Sequence, residues 1–451
     1  MKKLIAIILL SFFLLSACGT GQTDVSSEIP KEEIKDMNGA HFVFMTYWTM
    51  EYLPEVGRSL LADKVRERYA EVNEKYNCNF DVQHSDTTIA TLTAALSAAT
   101  DVPDIVQLHA YEIYPFYQQE VLLALEDITT IDSTDDKWGY KHYIQYGVFD
   151  GKTYGFFPNE WMIMPECTGI MTFNNEYLKS IGLDKQPYVL QEAGNWNWDT
   201  FADLVKTCTF STGEEKMTGF GSENISFTSK AAIFSNGGEI VTQKDDKYTL
   251  SLDGQNSIAA LEWLANLKSD GYMIDADYPK FVDKSVAFWC CDSWKATIDY
   301  EGHEAYPAFM MNDIGIIDFP TGPNGSTEKT SAFVHFNRKL SWPIAFSEND
   351  KDDLGIVMNA VFEPLPDSEE KGWMKLAERS TFHHDEGYLN FQKMIETARY
   401  DYSVQLKDVT AKIDTAFSSI NTKKKTAVAA IGEIADAINV VIDKNLNNVT
   451  E

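Results

Sequence analysis

The chain has 451 residues, 44% of them hydrophobic and 24% charged, with a formal net charge of −30. That length exceeds one small domain and suits two or three globular units around large cores. The acidic excess excludes a nucleic-acid binder, which needs a basic face to neutralise phosphates, and excludes an acidic membrane surface as partner of the folded body; it reads as solubility.

In chain order, the first signal is Lys2-Lys3 followed by the apolar run "LIAIILLSFFLLS" from Leu4 to Ser16. The run is too short and wrongly flanked for a bilayer span, and residues 1–17 read as a secretory signal peptide. It ends in Leu15-Ser16-Ala17-Cys18, the pattern of a bacterial lipobox, in which the cysteine thiol accepts a diacylglycerol and the chain is cut just before it. An ordinary cleavage site with a chance cysteine fits less well, because the small residues and the cysteine fall directly at the end of the apolar run. Two acyl chains on one residue anchor firmly where one binds marginally. Residues 18–38 are polar and read as the lipidated cysteine and a flexible tether. No later stretch is long and apolar enough to span a bilayer, so the expected location is the extracytoplasmic face of the cell membrane, lipid-anchored. The remaining cysteines, Cys78, Cys167, Cys208, Cys290 and Cys291, are odd in number and widely spaced, which suits buried thiols better than a disulfide framework.

The body opens with "HFVFMTYW" (41–48) as a strand, "LLADKVRERYAEVNEKYN" (60–77) as a helix with Leu61, Val65, Tyr69, Val72 and Tyr76 on one face, "CNFDVQH" (78–84) as a strand, "TTIATLTAALSAAT" (87–100) as a helix and "DIVQL" (104–108) as a strand. That alternation predicts a parallel sheet wrapped by helices. Asp150-Gly151 in "FDGKTYGFFP" predicts a hairpin; the phosphate-loop alternative for Gly151-Lys152-Thr153 fails because Tyr146 stands where that loop needs glycine. A second α/β series follows: "GIMTFN" (169–174) as a strand, "NWDTFADLVKTC" (197–208) as a helix capped by Asp199, "IAALEWLANLKSDGY" (258–272) as a helix, "SVAFWCC" (285–291) as a strand, "DIGIIDFPTGPNG" (313–325) as a strand running into a Pro/Gly-rich turn, "PIAFSEN" (343–349) as a strand and "DDLGIVMNAVFEPL" (352–365) as a helix. At the end, Val428, Ile431, Ile434, Ile438 and Ile442 predict one apolar helix stripe, and "KKK" (423–425) reads as its solvated start.

These elements and several local motifs resemble the extracellular solute-binding proteins of ABC importers, in the group typified by the maltose-binding protein. The residues that carry the resemblance are Val102 to Ile105, Asp150-Gly151-Lys152 with Tyr154-Gly155 and Pro158, Phe173-Asn174 with Gly182-Leu183, Trp198 to Phe201, Ser235 to Gly238, Ala287-Phe288 with Ser293-Trp294, and Phe319-Pro320 with Gly322-Pro323. They cover nearly the whole mature chain in family order. The resemblance implies an α/β, two-lobed, type II periplasmic-binding-protein-like fold, with each lobe a mostly parallel sheet flanked by helices and a hinge between them. It divides the chain into 39–155 plus 312–365 for the first lobe and 160–310 plus 370–451 for the second. Ligand is expected in the interlobe cleft, outside the carboxyl ends of the strands. The implied function is capture of a carbohydrate, an oligosaccharide foremost, and delivery to the transmembrane permease subunits, by a monomer.

Aromatic rings cover the apolar faces of a sugar, and planar polar groups bond its hydroxyls. Trp48 follows the first strand and stands equally as a cleft residue or as core. His109, Tyr111 and Glu112 follow the third strand; the sequence there departs from the maltose binder's pattern, so its ligand is expected to be held differently. Glu160 and Trp161 lie past the first expected crossing, and Glu160 reads either as a hydroxyl acceptor or as a solvated hinge residue. Trp294 stands at the family's stacking position with Asp292 beside it, and Trp342 with Arg338 flanks a later crossing. In "AFWCCDSWKA" (287–296), alternation puts Phe288 and Cys290 on one strand face and Trp289 and Cys291 on the other. No second cysteine pair exists to complete a zinc site, so the cysteines read as strand core and no metal or cofactor is expected.

Two other function classes compete. An enzyme acting on a surface glycan would use paired carboxylates, but with 68 acidic residues a pair carries no information, and no nucleophile elbow, zincin motif or triad signature occurs; no enzyme activity is expected. His383-His384-Asp385-Glu386 reads as a solvated loop, since adjacent ligands on a helix start cannot all converge. A lipoprotein for a non-sugar solute, a peptide or polyamine, also fits an aromatic, acidic cleft.

Overall fold

A computed structural model describes residues 34–447 except 58–59, 110–111, 159–160, 162–164, 213–214, 246, 298–305, 335–338 and 366–381. The signal peptide, Cys18, most of the tether, Tyr111, Glu160 and Arg338 therefore lie outside the described residues. Among the described residues no helix is long and apolar enough to cross a membrane.

The amino-terminal strands β1 (Ala40–Thr46), β2 (Cys78–His84) and β3 (Ile105–His109) are joined through the helices Leu60–Tyr76 and Thr88–Ala98. A hairpin of β4 (Val148–Phe149) and β5 (Lys152–Thr153) follows, with Asp150 and Gly151 both at positive φ in its turn. The middle of the chain supplies β6 (Cys167–Asn174), β7 (Phe210–Thr212), β8 (Glu215–Ser222), β9 (Val241–Lys244), β10 (Lys247–Leu250), β11 (Met273–Asp275), β12 (Val286–Asp292), β13 (Ile314–Ile317) and β14 (Phe333–Val334), and β15 (Lys339–Pro343) comes last.

Two main sheets result. The first has the order β15-β3-β1-β2, with β1 parallel to both β2 and β3 and β15 antiparallel at the edge. The second has the order β11-β8-β12-β6-β13, with β8 parallel to β11 and β12, β6 antiparallel to β12 and β13, and β14 paired to the start of β6. Helix–strand alternation built the parallel parts as expected, because a parallel connection needs a crossover helix to return the chain to the same sheet edge.

The boundary expected at residue 312 is corrected. β13 and β14 pair with β6, so residues 314–334 complete the second sheet, and the chain rejoins the first only at β15. Gly315 makes this possible: a Cβ there would sit 2.0 Å from the Phe173 ring on β6, so only glycine lets β13 lie alongside. The helix expected to be capped by Asp199 is capped by Asn197, which accepts from the N–H groups of Asp199 and Thr200 and completes a capping box with Thr200. "PIAFSEN" is strand only at its start: Pro343 ends β15 opposite Ile105, Ile344 makes a single bridge to Leu122, and beyond them Phe346 is exposed. On the helix Ala427–Asn445, Ile431, Ile438 and Ile442 are buried as expected, but Val428 is exposed and Ala427 and Ala430 take the inner face. The lysines at 423–425 lie in the turn before that helix, which Thr426 caps.

His383 and His384 do not sit in a solvated loop. The His384 Nε2 donates to Asp313 at 2.6 Å, and His383 Nδ1 accepts from the Ile314 N–H at 3.2 Å, so the pair pins the helix Asp385–Thr397 against β13. Burial and the neighbouring His384 hold the His383 imidazole below its usual range.

Candidate functional site

Because β1, β2 and β3 run parallel, their carboxyl ends leave the first sheet along one edge. Tyr47 and Trp48 follow β1, His84 closes β2, and His109 closes β3. The Tyr47 and His109 rings meet at 5.3 Å between centroids, and the His109 N–H donates to the Glu112 carboxylate at 3.0 Å. Burial, with the Glu112 charge adding to it, raises the Tyr47 phenol above its ordinary range. His84 bridges the Thr49 hydroxyl and the Asp86 carboxylate, each at 3.0 Å. The Trp48 main-chain N–H donates to the Thr46 hydroxyl at 3.0 Å, and the residue is 54% exposed, outside the core.

In the second sheet β8 and β12 are parallel neighbours, so Glu223 and Asp292 leave the same edge side by side. The Thr168 hydroxyl donates to the Asp292 carboxylate at 2.8 Å, and the Asp292 N–H donates to Glu223 Oε2 at 3.2 Å. The helix Ser293–Thr297 starts at once, and Ser293 Oγ accepts from the Cys167 N–H at 3.0 Å. On this helix Trp294 is half-buried, with the Tyr306 ring edge-on at 4.9 Å and Tyr278 against Tyr306 at 4.7 Å. The Lys295 ammonium pairs with Glu223 and lies 4.9 Å from the Trp294 ring centroid. Burial pulls that ammonium down to about 8.

The crossings bring the two edges together. β6 begins at Cys167, paired to Val334 at the end of β14, while Asp292 lies opposite Thr168. β15 begins at Lys339, opposite His109. Chain from Val334 to Lys339 spans at most roughly 18 Å when fully extended, so the ends of β3 and β12 flank one crossing. A second tie is rigid: Tyr143 of the first lobe bonds both main-chain groups of Glu166, just before β6. The two strand-end edges thus meet at the crossings between the sheets.

The sequence-predicted residues separate into three groups. Trp48, His109 and Glu112 stand on the first-lobe edge and Trp294 on the second. Asp292 is at that second edge too, but is 5% exposed and bonded into the frame. Trp161 and Trp342 are corrected: both are wholly buried, Trp161 against Phe362 and Tyr69, Trp342 against Gly155, where a Cβ would meet its ring at 2.8 Å. Among the described residues their indole N–H groups have no hydrogen-bond partner. The residues that sequence reading missed are Tyr47, Glu223, Tyr278, Lys295 and Tyr306. Lys295 lies inside the stretch singled out for Trp294, whereas Glu223 follows a strand that carries no clear alternation.

The adjacent cysteines have no part in the site. All of β12 is buried, with Phe288 and Cys290 in the second-lobe core and Trp289 and Cys291 in the cluster that continues into the first lobe. Burial pushes the Cys290 thiol up to about 12 and the Cys291 thiol well above its ordinary value. Among the described residues no group of three or more His, Cys, Asp and Glu is placed to hold a metal ion. The two strand-end edges together carry aromatic rings beside carboxylates, imidazoles and an ammonium, groups that can cover an apolar face and bond hydroxyls.

A family model described as bacterial extracellular solute-binding protein matches residues 64–340, more than half of the chain. No curated protein matches the chain by sequence. Solved structures share the fold. The cyclic α-maltosyl-1,6-maltose-binding protein of Arthrobacter globiformis is 13% identical with a TM-score of 0.67, over 90% of this chain and 100% of that one. The sugar-binding protein MalE of Xanthomonas citri is 14% identical with a TM-score of 0.62, over 90% and 98%. UgpB of Mycobacterium tuberculosis, solved with glycerophosphocholine, is 17% identical with a TM-score of 0.60, over 90% and 98%.

Proposed function

The chain belongs to the bacterial extracellular solute-binding proteins, and from that premise we propose that it captures a carbohydrate, foremost an oligosaccharide, in the interlobe cleft and delivers it to the membrane subunits of an ABC importer. The observation that carries the reading is the ring group Trp294, Tyr306 and Tyr278 beside the Glu223–Lys295 pair, at the end of a second-lobe strand as Tyr47, Trp48 and His109 are at the ends of first-lobe strands. Rings supply the apolar platform and the flanking groups supply donors and acceptors for hydroxyls. Two of the structurally similar proteins are named for a cyclic maltosyl-maltose and for sugar binding, which supports the same class. In this reading the mature protein is a monomer without enzyme activity, held at the outer membrane face by acyl chains on Cys18, and its partners are solute and permease.

The test is a thermal-shift screen of the body from residue 34 with maltotetraose, xylotetraose, raffinose, spermidine and tetra-alanine. A ligand present at a hundredfold excess over its Kd stabilises the folded state by about 2.7 kcal/mol, a readily measured rise in Tm. A rise with a sugar is expected. A rise with spermidine or tetra-alanine and none with any sugar overturns the carbohydrate assignment.

A further inference from the structure

The second-lobe edge contains the parts of a cation site. Glu223 supplies a carboxylate, and Trp294, with Tyr306 edge-on to it and Tyr278 against Tyr306, supplies rings. Carboxylates beside aromatic rings hold ammonium groups by charge and by the ring quadrupole. Yet the position a foreign ammonium would take is filled by the chain itself. Lys295 lies over Trp294 and is paired with Glu223, with the side chains only 15% and 13% exposed. Among the described residues the Lys295 ammonium meets one carboxylate and one ring, so N–H groups of its three are left to direct at another acceptor. Glu223 is fully engaged, with one oxygen on Lys295 and the other on the Asp292 N–H.

We propose that Lys295, held by Glu223, is the residue that sets the charge selectivity of this half-site: it occupies the cation position over Trp294, excludes cationic solutes, and turns its remaining N–H groups toward the oxygens of an uncharged, hydroxyl-rich ring. The proposal rests on the cleft reading above but its decisive measurement does not need the sugar to be the right one. Removing the ammonium takes the counter-charge from Glu223 and leaves the place over Trp294 empty of it. That change converts a site that repels ammonium groups into one that attracts them. A like charge placed next to an incoming cation is a repulsive element, and specificity against a competitor is commonly built this way.

The experiment is calorimetric titration of the wild type, Lys295→Met, Lys295→Arg and the double variant Lys295→Met/Glu223→Gln with spermidine and with maltotetraose. Folding of each is checked by its apo melting curve. Spermidine is expected to give no heat of binding with the wild type or Lys295→Arg. It should bind Lys295→Met at least about tenfold more tightly than the wild type, the order expected when a repulsive charge gives way to an attractive one. The double variant should lose the gain, because the carboxylate that attracts the cation is gone. Spermidine binding by the wild type, or no gain in Lys295→Met, overturns the proposal. A gain of spermidine in a protein whose wild type ignores every sugar upholds the charge filter and refutes the carbohydrate assignment. Sugar binding that is equal in the wild type and Lys295→Met, with no spermidine gain, does the reverse.

Discussion

The phenol oxygen of Tyr143 meets both main-chain groups of Glu166, accepting from its N–H at 2.6 Å and donating to its carbonyl at 2.9 Å. Tyr143 is buried in the first lobe, and Glu166 is the last residue before the second-lobe sheet. One side chain therefore satisfies both main-chain groups of a residue that belongs to neither helix nor strand, at the place where the lobes join. A buried polar group left without its partner costs about 1–3 kcal/mol, so Tyr143→Phe, which keeps the ring and removes the oxygen, should lower apo stability by that order. Urea unfolding of the two proteins measures it, and coincident midpoints would mean that water takes over the phenol's role.

A second interlobe feature is anchored by charge. Lys230 donates to Asp401 at 2.6 Å with the side chains 3% and 0% exposed, and Asp401 also accepts from the Ser403 N–H at 2.9 Å. The segment it holds stacks Tyr400 on Tyr146 of the first lobe, and the Gln405 side chain donates to the Tyr146 carbonyl at 3.2 Å. Lys230→Met should cost about 3–5 kcal/mol, because it strands a buried carboxylate, and adding Asp401→Asn should return part of that loss. Equal stability of the single and double variants would show that the cost is packing rather than charge.

The buried thiols fix a pH dependence. Burial raises Cys208 and Cys290 from 9.0 to about 12, so between those values the folded chain keeps thiol protons that the unfolded chain has lost. Stability is therefore full below about pH 9 and falls as pH rises toward 12, by up to about 1.4 kcal/mol per unit for each such thiol. Urea midpoints at pH 8 and pH 10 should show the decline, and Cys290→Ala should make it shallower. A thiol-reactive disulfide reagent at pH 8 should label none of the five body cysteines until denaturant is added.

The alternation of β12 was readable because strand period and burial agree there: its two faces enter two different cores. Pairing was less readable. "IGII" is apolar on both faces and so fits either sheet; its pairing with β6, with Gly315 under the Phe173 ring, assigns it, and that pairing joins residues far apart in sequence. Trp342 was misplaced for a related reason. "KLSWP" ends in proline, which suits an edge strand, and β15 is an edge strand; yet its tryptophan points inward onto Gly155, a contact with no local sign. The Glu223–Lys295 pair was invisible because the strand before Glu223, "EKMTGFGS", lacks the β-branched alternation that marks a strand.

Lipidation at Cys18 is proposed from Leu15-Ser16-Ala17-Cys18 at the end of an apolar run. Cells of a bacterial host fed labelled palmitate should label the protein, and Cys18→Ala should abolish both the label and retention in the membrane fraction. Equal labelling of the two forms would remove the anchor.

Trp294 separates the binding role from the core role by two measurements on one variant. It is half-buried, unlike Trp161 and Trp342, and stands between Tyr306 and the Lys295 ammonium rather than in a packed interior. Covering an aromatic face of this kind is worth roughly 1.5–3 kcal/mol, so Trp294→Ala should weaken sugar binding by about ten- to a hundredfold, and Trp294→Phe should retain part of it. Apo stability should fall much less than the roughly 3–5 kcal/mol lost when a core tryptophan is truncated. Trp342→Ala supplies that comparison, since its ring is fully enclosed. Calorimetric titration with whichever sugar of the screen binds, together with urea unfolding of the apo proteins, gives both numbers. Unchanged affinity in Trp294→Ala with a stability loss as large as that of Trp342→Ala would assign Trp294 to the core, and the ring face of the second lobe would then belong to Tyr306 and Tyr278 alone.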